Sequence, residues 1–248
     1  MSADLASLTP RWPAPPGVRA AFTLRGGGVS AAPFDSLNLG THVGDAAAAV
    51  VENRQRVRRS LSLPAEPRWL EQVHGAEVIE VRGDACDSAP IADGIVSREA
   101  GVVAAVQVAD CLPVLFAAHD ASVVAAAHAG WRGLAAGVLE ATVARTGVAP
   151  ARLLAWLGPA IARAHFEVGA EVREAFVARA ARAAAAFIPN SRGRWQCDLH
   201  MLARQRLEAV GVASVFGGEW CTFADPGRFF SYRRDGRCGR MAALIWRE

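Results

Sequence analysis

The stretch that decides the fold is VVAAVQVADCLPVLFAAHDASVVAAAHAGWRG, residues 102–133. Two of its segments, residues 102–108 and 122–127, are dominated by valine and alanine, and turn residues follow each of them. Continuous apolar segments of this length predict strands that are covered on both faces. Cys111 follows the first predicted strand and His128 follows the second. We expect the thiol and the imidazole to meet at one edge of a sheet, where ligand sites of α/β proteins lie.

A third candidate ligand, His74, lies upstream in the motif QVHG, just before a short predicted strand over residues 77–81. His74, Cys111 and His128 together form a set of two imidazoles and one thiol. Three protein ligands with an open fourth position are the pattern of a catalytic zinc site. From spacing alone, a buried cysteine with two hydrogen-bonded core histidines explains the same residues equally well.

The motifs QVHG, ADCLPV and HAGWRG occur in this order and resemble those of the laccase-domain family, also labelled multi-copper polyphenol oxidoreductases. Further motifs, such as FFSYRRDG at residues 229–236, extend the resemblance over residues 22–246. Members of that family have been reassigned as purine nucleoside phosphorylases with adenosine deaminase activity. The family's metal ligands fall here on His74, Cys111 and His128. The resemblance therefore implies a zinc site at these residues, which copper could also occupy.

The reaction implied by the resemblance is phosphorolysis of adenosine, inosine, guanosine or methylthioadenosine to the free base and ribose 1-phosphate, together with deamination of adenosine. A zinc ion stabilises charge that develops in the transition state. Deamination also needs a nearby carboxylate that moves protons. Asp110 and Glu71 are the carboxylates beside the predicted ligands. We therefore regard them, with Cys111, as the candidate catalytic residues.

The predicted partners are a small-molecule nucleoside and phosphate. Guanidinium groups bind phosphate through forked donors, so Arg25, Arg132 and Arg233 are the candidate phosphate-binding residues. Asn38, in the polar motif SLNLG, is a further substrate-binding candidate. A helix predicted over residues 133–146 begins directly after the HAGWRG motif, and its free N–H groups predict an anion site beside the metal.

Two other functions remain open at this point. Two histidines and one cysteine also form the equatorial set of a blue-copper site, so a copper-dependent polyphenol oxidase is one alternative. Multi-copper oxidases need an additional histidine-rich cluster, and the whole chain has 6 histidines. A metal-free cysteine hydrolase, with Cys111 as nucleophile and His128 or His74 as base, is the other alternative.

The composition excludes several classes of function. All 27 basic residues are arginine, which excludes Schiff-base chemistry and Walker-type phosphate loops because both need lysine. A net charge of +3 without a basic tract predicts no nucleic-acid partner, and no apolar segment is long enough to predict a membrane span. Five cysteines without paired spacing, and no export signal, predict reduced thiols in the cytoplasm. Cys86 is interpreted as an incidental loop residue, and the sequence does not determine the oligomeric state.

For the architecture we expect an extended N-terminal arm over residues 1–17 and a single catalytic domain over residues 18–248. The mixture of strands and helices predicts an α+β fold of layered mixed β-sheets and helices. The family resemblance implies similarity to the fold of deamidating-toxin-like cysteine hydrolases. Further helices are predicted over residues 46–61, with Asp45 as N-cap, over residues 168–187, and over residues 198–210, with Asp198 as N-cap.

Overall fold

The computed structural model describes residues 5–83 and 89–248, and Cys86 lies outside these residues. The elements of the N-terminal half are β1 (Ser7–Leu8), β2 (Val18–Thr23), α1 (Ala47–Ser60), β3 (Val78–Val81), β4 (Gly94–Ser97), β5 (Ala104–Val108), β6 (Leu112–Ala118) and β7 (Val124–Ala129). The C-terminal half adds α2 (Trp131–Ala136), α3 (Val138–Thr146), β8 (Leu153–Leu157), β9 (Glu167–Val168), α4 (Ala170–Val177), β10 (Phe187–Pro189), β11 (Trp195–Cys197), α5 (Leu199–Ala209), β12 (Ser214–Gly217), α6 (Tyr232–Asp235) and β13 (Met241–Arg247). None of the described helices is long and apolar enough to cross a membrane.

The described strands form three sheets, and the two larger ones pack face to face. The largest is a mixed sheet in the order β12-β8-β6-β7-β4-β3, and the second has the order β1-β2-β13-β5. Side chains alternate between opposite faces along a strand, so every strand in these sheets can contribute to two layers of core. In β6, Leu115 and Ala117 face the second sheet, whereas Val114 and Phe116 face the helices α2–α5.

A third core layer lies on the far side of the second sheet, where Leu244 and Ala105 pack against Leu37, Leu39 and Val57 of α1 and the preceding loop. The order of layers is therefore helices, six-stranded sheet, four-stranded sheet and helix α1. This arrangement confirms the predicted α+β fold of layered mixed sheets and helices. Because both large sheets are covered on both faces, their central strands are apolar without alternation, as the sequence pattern indicated.

The expectation of two strands in the deciding stretch was wrong, because residues 102–133 contain three. The additional strand β6 contains Pro113, which interrupts the pattern typical of a central strand. Pro113 lies at the second position of β6, ahead of Val114, where the pairing of β6 with β8 begins. Its carbonyl accepts a hydrogen bond from the Gly158 N–H at 2.9 Å. The extra strand also corrects the predicted sheet edge: β5 belongs to the four-stranded sheet and β7 to the six-stranded one.

Two helix predictions also need correction. The helix predicted over residues 133–146 is two helices, because Gly137, with φ of 104°, ends α2 and begins α3. The long helix predicted over residues 168–187 is replaced by the end of β9, the short α4, a 3-10 turn and the start of β10. Alanine favours helix locally, but β9 and β10 both pair with β11, and this sheet pairing overrides the propensity.

The cap predictions had different outcomes. Asp198 is the N-cap of α5, and its carboxylate accepts a hydrogen bond from the Met201 N–H at 2.9 Å. Asp45 does not cap α1, whose N-cap residue is Ala46. The Asp45 carboxylate instead accepts hydrogen bonds from Ser30 Oγ at 2.6 Å and Asn38 Nδ2 at 2.9 Å, and so it connects two loops.

The predicted N-terminal arm contributes to a sheet where it is described. Ser7 and Leu8 pair antiparallel with Phe22 and Thr23 of β2, and Leu5 is buried. These contacts fasten the first described residues to the four-stranded sheet, on the edge opposite β5.

Candidate metal centre

Cys111 reaches the centre from a tight turn between β5 and β6. Asp110 in this turn has φ of 90°, a backbone conformation that is rare for residues other than glycine. Its buried carboxylate accepts hydrogen bonds from Thr222 Oγ1 at 2.6 Å, Ser231 Oγ at 3.0 Å and the Arg233 N–H at 2.7 Å. These bonds hold the turn in place, and the chain leaves it with Cys111 directly ahead of β6.

His128 belongs to β7, the strand that pairs with β6. The register sets Pro113 opposite His128 and Leu112 opposite Ala129, so Cys111 lies beside the end of β7. A Cβ atom added to Gly130 would lie 2.8 Å from Cys111 Sγ, closer than real contacts allow. The glycine of the HAGWRG motif is therefore required where the thiol approaches the backbone.

His74 lies in an exposed loop and has a left-handed backbone, with φ of 61°. The buried Asp93 stabilises this conformation. Its carboxylate accepts hydrogen bonds from three successive backbone N–H groups, those of Val73 at 3.2 Å, His74 at 3.0 Å and Gly75 at 2.6 Å. One carboxylate thus fixes the whole loop that carries His74.

The same carboxylate orients the second histidine, since Asp93 Oδ1 lies 2.7 Å from His128 Nδ1. This contact leaves His128 Nε2 free to bind a metal, in the carboxylate–histidine–metal arrangement common in metalloproteins. This role of Asp93 was not predicted from the sequence. The Asp-Gly pair at residues 93–94 was visible, but no spacing rule connects it to a histidine 35 positions away.

The three predicted ligands do meet. One ligand atom from each of His74, Cys111 and His128 lies within 4.8 Å of the others, and Cys111 Sγ is 3.8 Å from His74 Nε2. Within residues 5–83 and 89–248, this is the one group of three or more histidine, cysteine or acidic residues placed to hold a metal ion. Two imidazole nitrogens and one sulfur suit zinc, and a copper ion would accept the same donors. The residues therefore fit the metal that the resemblance implies.

The electrostatics of the cluster favour the form of cysteine that binds metals. Burial opposes ionisation of the Cys111 thiol, but His128 and His74 outweigh this effect and lower its pKa to about 6. Burial also disfavours a charged His128, yet the Cys111 thiolate and the hydrogen bond to Asp93 raise the pKa of its imidazole to about 9. The thiolate is the metal-binding form of cysteine, and a metal ion at the cluster would take the place of the proton on His128 Nε2.

A cavity of about 240 Å³ opens beside the cluster. Its wall includes His74 and Cys111, together with aromatic and aliphatic side chains. The latter are Trp131, Ile161, Phe166, Leu199 and Tyr232. Tyr232 is 61 % exposed, which is high for an aromatic residue. Their place in a cavity wall was not predicted from the sequence, because they come from four separate segments that only the fold brings together. A cavity with an apolar wall and a few polar groups is the usual form of a small-molecule site.

Two of the predicted phosphate-binding residues line this cavity. The Arg132 guanidinium lies over the Trp131 ring, with 4.5 Å between its central carbon and the ring centroid. Arg132 is exposed and has no hydrogen bond or ion pair with another described residue, so its donors are unoccupied. Arg233 lies over the Phe166 ring and donates one hydrogen bond to the Glu167 carbonyl at 2.8 Å. Both guanidinium groups therefore keep donors available for an anion.

The helix that was predicted to provide an anion site begins two residues early, at Trp131, and α2 has only 6 residues. Its first turn lies at the cavity, because Trp131 and Arg132 both belong to the wall. We assign the positive charge at this position to the Arg132 side chain and not to the dipole of so short a helix.

The other predicted site residues lie away from the cavity. Arg25 donates hydrogen bonds to the carbonyls of Asp35 at 2.9 Å and Pro226 at 3.0 Å. Asn38 is fully buried and uses its carboxamide to bind Gly40, Asp45 and Arg240. Glu71 is exposed, and its backbone pairs with residue 91. Of the two candidate carboxylates, only Asp110 lies in the wall of the cavity.

Comparison with known proteins gives one consistent match. The sequence profile of the family described as multi-copper polyphenol oxidoreductase laccase matches residues 19–248. A Pseudomonas aeruginosa protein named purine nucleoside phosphorylase is 55% identical over 242 residues, covering 96% of this chain and 97% of that protein. The Escherichia coli purine nucleoside phosphorylase YfiH is 53% identical over 239 residues, covering 96% of this chain and 98% of the relative.

Solved structures share the fold of this chain. A Neisseria meningitidis protein described as DUF152 superimposes with a TM-score of 0.94 at 48% identity, covering 98% of this chain and 99% of that one. YlmD from Geobacillus stearothermophilus superimposes with a TM-score of 0.91 at 36% identity, covering 100% of this chain and 98% of that one.

Proposed function

Because the chain belongs to the multi-copper polyphenol oxidoreductase laccase family, in which relatives of more than 50% identity are named purine nucleoside phosphorylases, we propose that it is one too. The proposed enzyme uses one zinc ion at His74, Cys111 and His128 and converts a purine nucleoside and phosphate to the free base and ribose 1-phosphate. The observation that carries this proposal is an open three-ligand cluster on one wall of a cavity that also holds two arginines and an apolar surface.

Phosphorolysis forms a bond between a phosphate oxygen and C1′ of the ribose and breaks the bond from C1′ to the base, which leaves and takes up a proton. Arg132 and Arg233 bind the phosphate dianion through guanidinium N–H groups that have no acceptor in the protein. The aromatic wall, with Tyr232 and Phe166, packs against the flat face of the purine and excludes water from the reacting carbon. Zinc, when bound, supplies a Lewis acid that stabilises negative charge as it develops.

Asp110 has a supporting role in this proposal. Its carboxylate already accepts three hydrogen bonds, which hold it against the turn and against the segment that carries Arg233. One of these bonds comes from the Arg233 backbone, so Asp110 fixes both the cysteine turn and an arginine of the anion site. We propose that Asp110 positions these groups, and that exposed Glu71 is not part of the site.

The decisive assay incubates zinc-loaded protein with adenosine, inosine, guanosine or methylthioadenosine, with and without phosphate, and separates the products by chromatography. We expect base release that depends on phosphate and disappears in Cys111→Ala. The appearance of inosine from adenosine in the same samples reports the deaminase activity. Phenol oxidation that increases with added copper, without base release from any nucleoside, would favour the oxidase instead.

A second candidate function is a metal-free cysteine hydrolase, and one observation favours it. Cys111, His128 and Asp93 have the order of a nucleophile, a base and an orienting carboxylate, with the base 2.7 Å from the carboxylate. Metal analysis of protein grown in metal-defined medium separates the candidates. Stoichiometric zinc supports the phosphorylase, several coppers support the oxidase, and metal-free protein that retains a Cys111-dependent hydrolase activity supports this second candidate.

A further inference from the structure

The segment that leads to His74 runs along one edge of β5, the strand that leads to Cys111. β5 is the last strand of the four-stranded sheet and pairs with β13 on its other edge. On the edge that no described strand occupies, Arg68 forms a parallel bridge with Ala104. Leu70 is buried in the core cluster to which β5 contributes. The two segments therefore run in the same direction, and each leads to a candidate metal ligand.

Gln72 joins these two segments close to the ligands. Its carboxamide oxygen accepts a hydrogen bond from the Gln107 backbone N–H at 2.7 Å, and its Nε2 donates to the Gln107 carbonyl oxygen at 2.9 Å. A backbone N–H can only donate and a carbonyl can only accept, so these partners fix the orientation of the carboxamide. One side chain thus occupies both backbone groups that an edge strand presents at this residue.

The alignment of the two segments controls the separation of the ligands. His74 follows Gln72 by two residues, and Cys111 follows Gln107 by four. A shift of one residue along an extended chain is about 3.3 Å. This shift is almost as large as the 3.8 Å between Cys111 Sγ and His74 Nε2. The alignment therefore decides whether the two side chains can bind one metal ion.

Asp93 secures the other side of the His74 loop. It lies directly before β4 of the six-stranded sheet, accepts a hydrogen bond from the His74 N–H and contacts the His128 ring. Asp93 thus relates His74 to His128. Gln72 relates the same loop to β5, which belongs to the four-stranded sheet and leads to Cys111. The loop has one such contact to each sheet, because the metal centre lies where the two sheets meet.

We propose that Gln72 is a positioning residue of the metal centre, which aligns the His74 loop with β5 and so sets the distance from His74 to Cys111. The inference rests on the metal site of the proposed function, and Gln72 is itself neither a ligand nor a catalytic residue. Loss of its carboxamide should loosen His74 and leave Cys111 and His128 as ligands. The fold should persist, because the packing of Leu70 keeps the segment on β5, and apolar packing is non-directional and does not fix the alignment.

Competition for zinc with a chromophoric chelator tests this role. Gln72→Met keeps the length of the side chain and removes both hydrogen bonds, and we expect the zinc affinity to fall about tenfold, as it does when groups that orient ligands are lost. Gln107→Met is the matched control. Its side chain donates to the Leu39 carbonyl at 2.8 Å, but the backbone groups that bind Gln72 remain in the variant. Gln107→Met should unfold at lower urea concentration and keep the zinc affinity of the wild type.

Cobalt(II) in place of zinc shows which ligand is loosened. Thiolate-to-cobalt charge transfer reports Cys111, and the intensity of the d–d bands reports tetrahedral geometry. In Gln72→Met the charge-transfer band should persist while the d–d bands weaken, so that the spectrum moves towards that of His74→Ala. Gln72→Asn, whose carboxamide is one carbon shorter, should give the same change, which separates the lost alignment from any effect of methionine on packing.

Equal zinc affinities and equal cobalt spectra for wild type, Gln72→Met and Gln72→Asn would overturn the proposal. An equal loss of zinc affinity in Gln107→Met would also overturn it, because the cause would then be general destabilisation. Both measurements are made without substrate. Absence of phosphorolysis in a zinc-loaded wild type would therefore contradict the proposed function and not the role of Gln72.

Discussion

At the scale of single residues, Asp93 connects most of the candidate metal centre. It is fully buried, it fixes the backbone of the His74 loop through three N–H groups, and it orients His128 through Nδ1. Burial raises the pKa of the Asp93 carboxyl, but hydrogen bonds from His128 and Gly75 outweigh this and hold the pKa below its ordinary value. Two of the three ligands therefore depend on one charged side chain that is not itself a ligand.

We expect Asp93→Asn to weaken zinc binding roughly 10–100-fold, the usual effect of removing a carboxylate behind a ligating histidine. The amide keeps the size of the side chain but loses the charge and one acceptor oxygen. Competition with a chromophoric chelator measures the zinc affinity. Asp120→Asn, an exposed change remote from the cluster, is the control, and equal zinc affinities for both variants would contradict the positioning role of Asp93.

A second prediction distinguishes two arginines. Arg132→Ala should raise the KM for phosphate about tenfold and change the KM for nucleoside little, since a charge-assisted hydrogen bond contributes about 1.5–3 kcal/mol. Arg25→Ala should instead lower the free energy of unfolding, because its guanidinium binds the carbonyls of two loops. Initial rates at varied phosphate and urea unfolding measure the two effects. A phosphate KM that rises only in Arg25→Ala would return Arg25 to the anion site.

At the scale of elements, the β6–β7 pair and the junction between β7 and α2 determine how closely the ligands approach. The register brings Cys111 to the end of β7, where the chain enters α2 through Gly130. Gly130 has φ of −62°, so its backbone is open to any residue, and only the nearby thiol and His74 ring exclude a side chain. The role of this glycine is thus steric.

Gly130→Ala should therefore displace Cys111 and reduce the zinc content of purified protein well below one equivalent. Gly26→Ala is the matched control, since a Cβ atom at Gly26 would meet nothing within 4 Å. Metal analysis and thermal denaturation of both variants separate a local effect on the site from loss of fold. Full zinc occupancy in Gly130→Ala would show that the thiol can move without losing the metal.

Helix α5 supplies a pH-dependent contribution to stability through His200. Burial lowers the pKa of His200 below its ordinary 6.5, and Arg204 acts in the same direction, whereas the Gly158 carbonyl, Asp198 and Glu219 oppose the shift. The unfolded chain then binds a proton more readily than the folded one as pH falls through 6.5. The free energy of unfolding should accordingly decrease on acidification in this window.

We expect His200→Gln to lose less stability than the wild type between pH 7 and pH 5. Urea unfolding with a metal chelator present at both pH values excludes any effect of zinc release. His119→Gln, a change of an exposed histidine, should keep the pH dependence of the wild type. Parallel pH dependence in His200→Gln and wild type would exclude His200 as its source.

At the scale of the whole molecule, three core layers are independent of the metal centre. The clusters between helices and sheets and between the two large sheets contain dozens of buried apolar side chains, and the candidate ligands lie at their edge. A chain of 248 residues buries enough surface to fold without a metal. Removal of the metal should therefore lower the free energy of unfolding only by the amount that metal binding contributes to the folded state.

His128→Ala should lose zinc and retain the circular dichroism and cooperative unfolding of the wild type. Chelator treatment of the wild type should lower Tm by a few degrees, since metal bound to the folded state stabilises it in proportion to RT ln(1 + [L]/Kd). The same treatment should leave the Tm of His128→Ala unchanged. His119→Ala is the control and should retain full zinc. If His128→Ala also retained full zinc, His128 would not be a ligand.

The sequence by itself determined the α+β class and the family and predicted the candidate ligand set, because these depend on residue types in order along the chain. A strand that is covered on both faces of its sheet is apolar along its whole length, whichever strands it pairs with. Strands were therefore predicted over residues 102–108 and 122–127. Motif order identified His74, Cys111 and His128, and the structure brings their ligand atoms together. The sequence likewise predicted Asp198 as the N-cap of α5, because its hydrogen bond from the Met201 N–H is a local contact.

Only the tertiary structure decided which residues surround the ligands, because those contacts join distant segments. Asp93 reaches His128 across paired strands, and the apolar wall of the cavity collects residues from four segments. Arg25 and Arg132 carry the same guanidinium group, and the sequence does not distinguish them. The Arg25 guanidinium donates to backbone carbonyls of neighbouring loops, whereas Arg132 lines the cavity. These contacts depend on packing and hydrogen bonding between segments that are distant in the sequence, so no local sequence pattern predicts them.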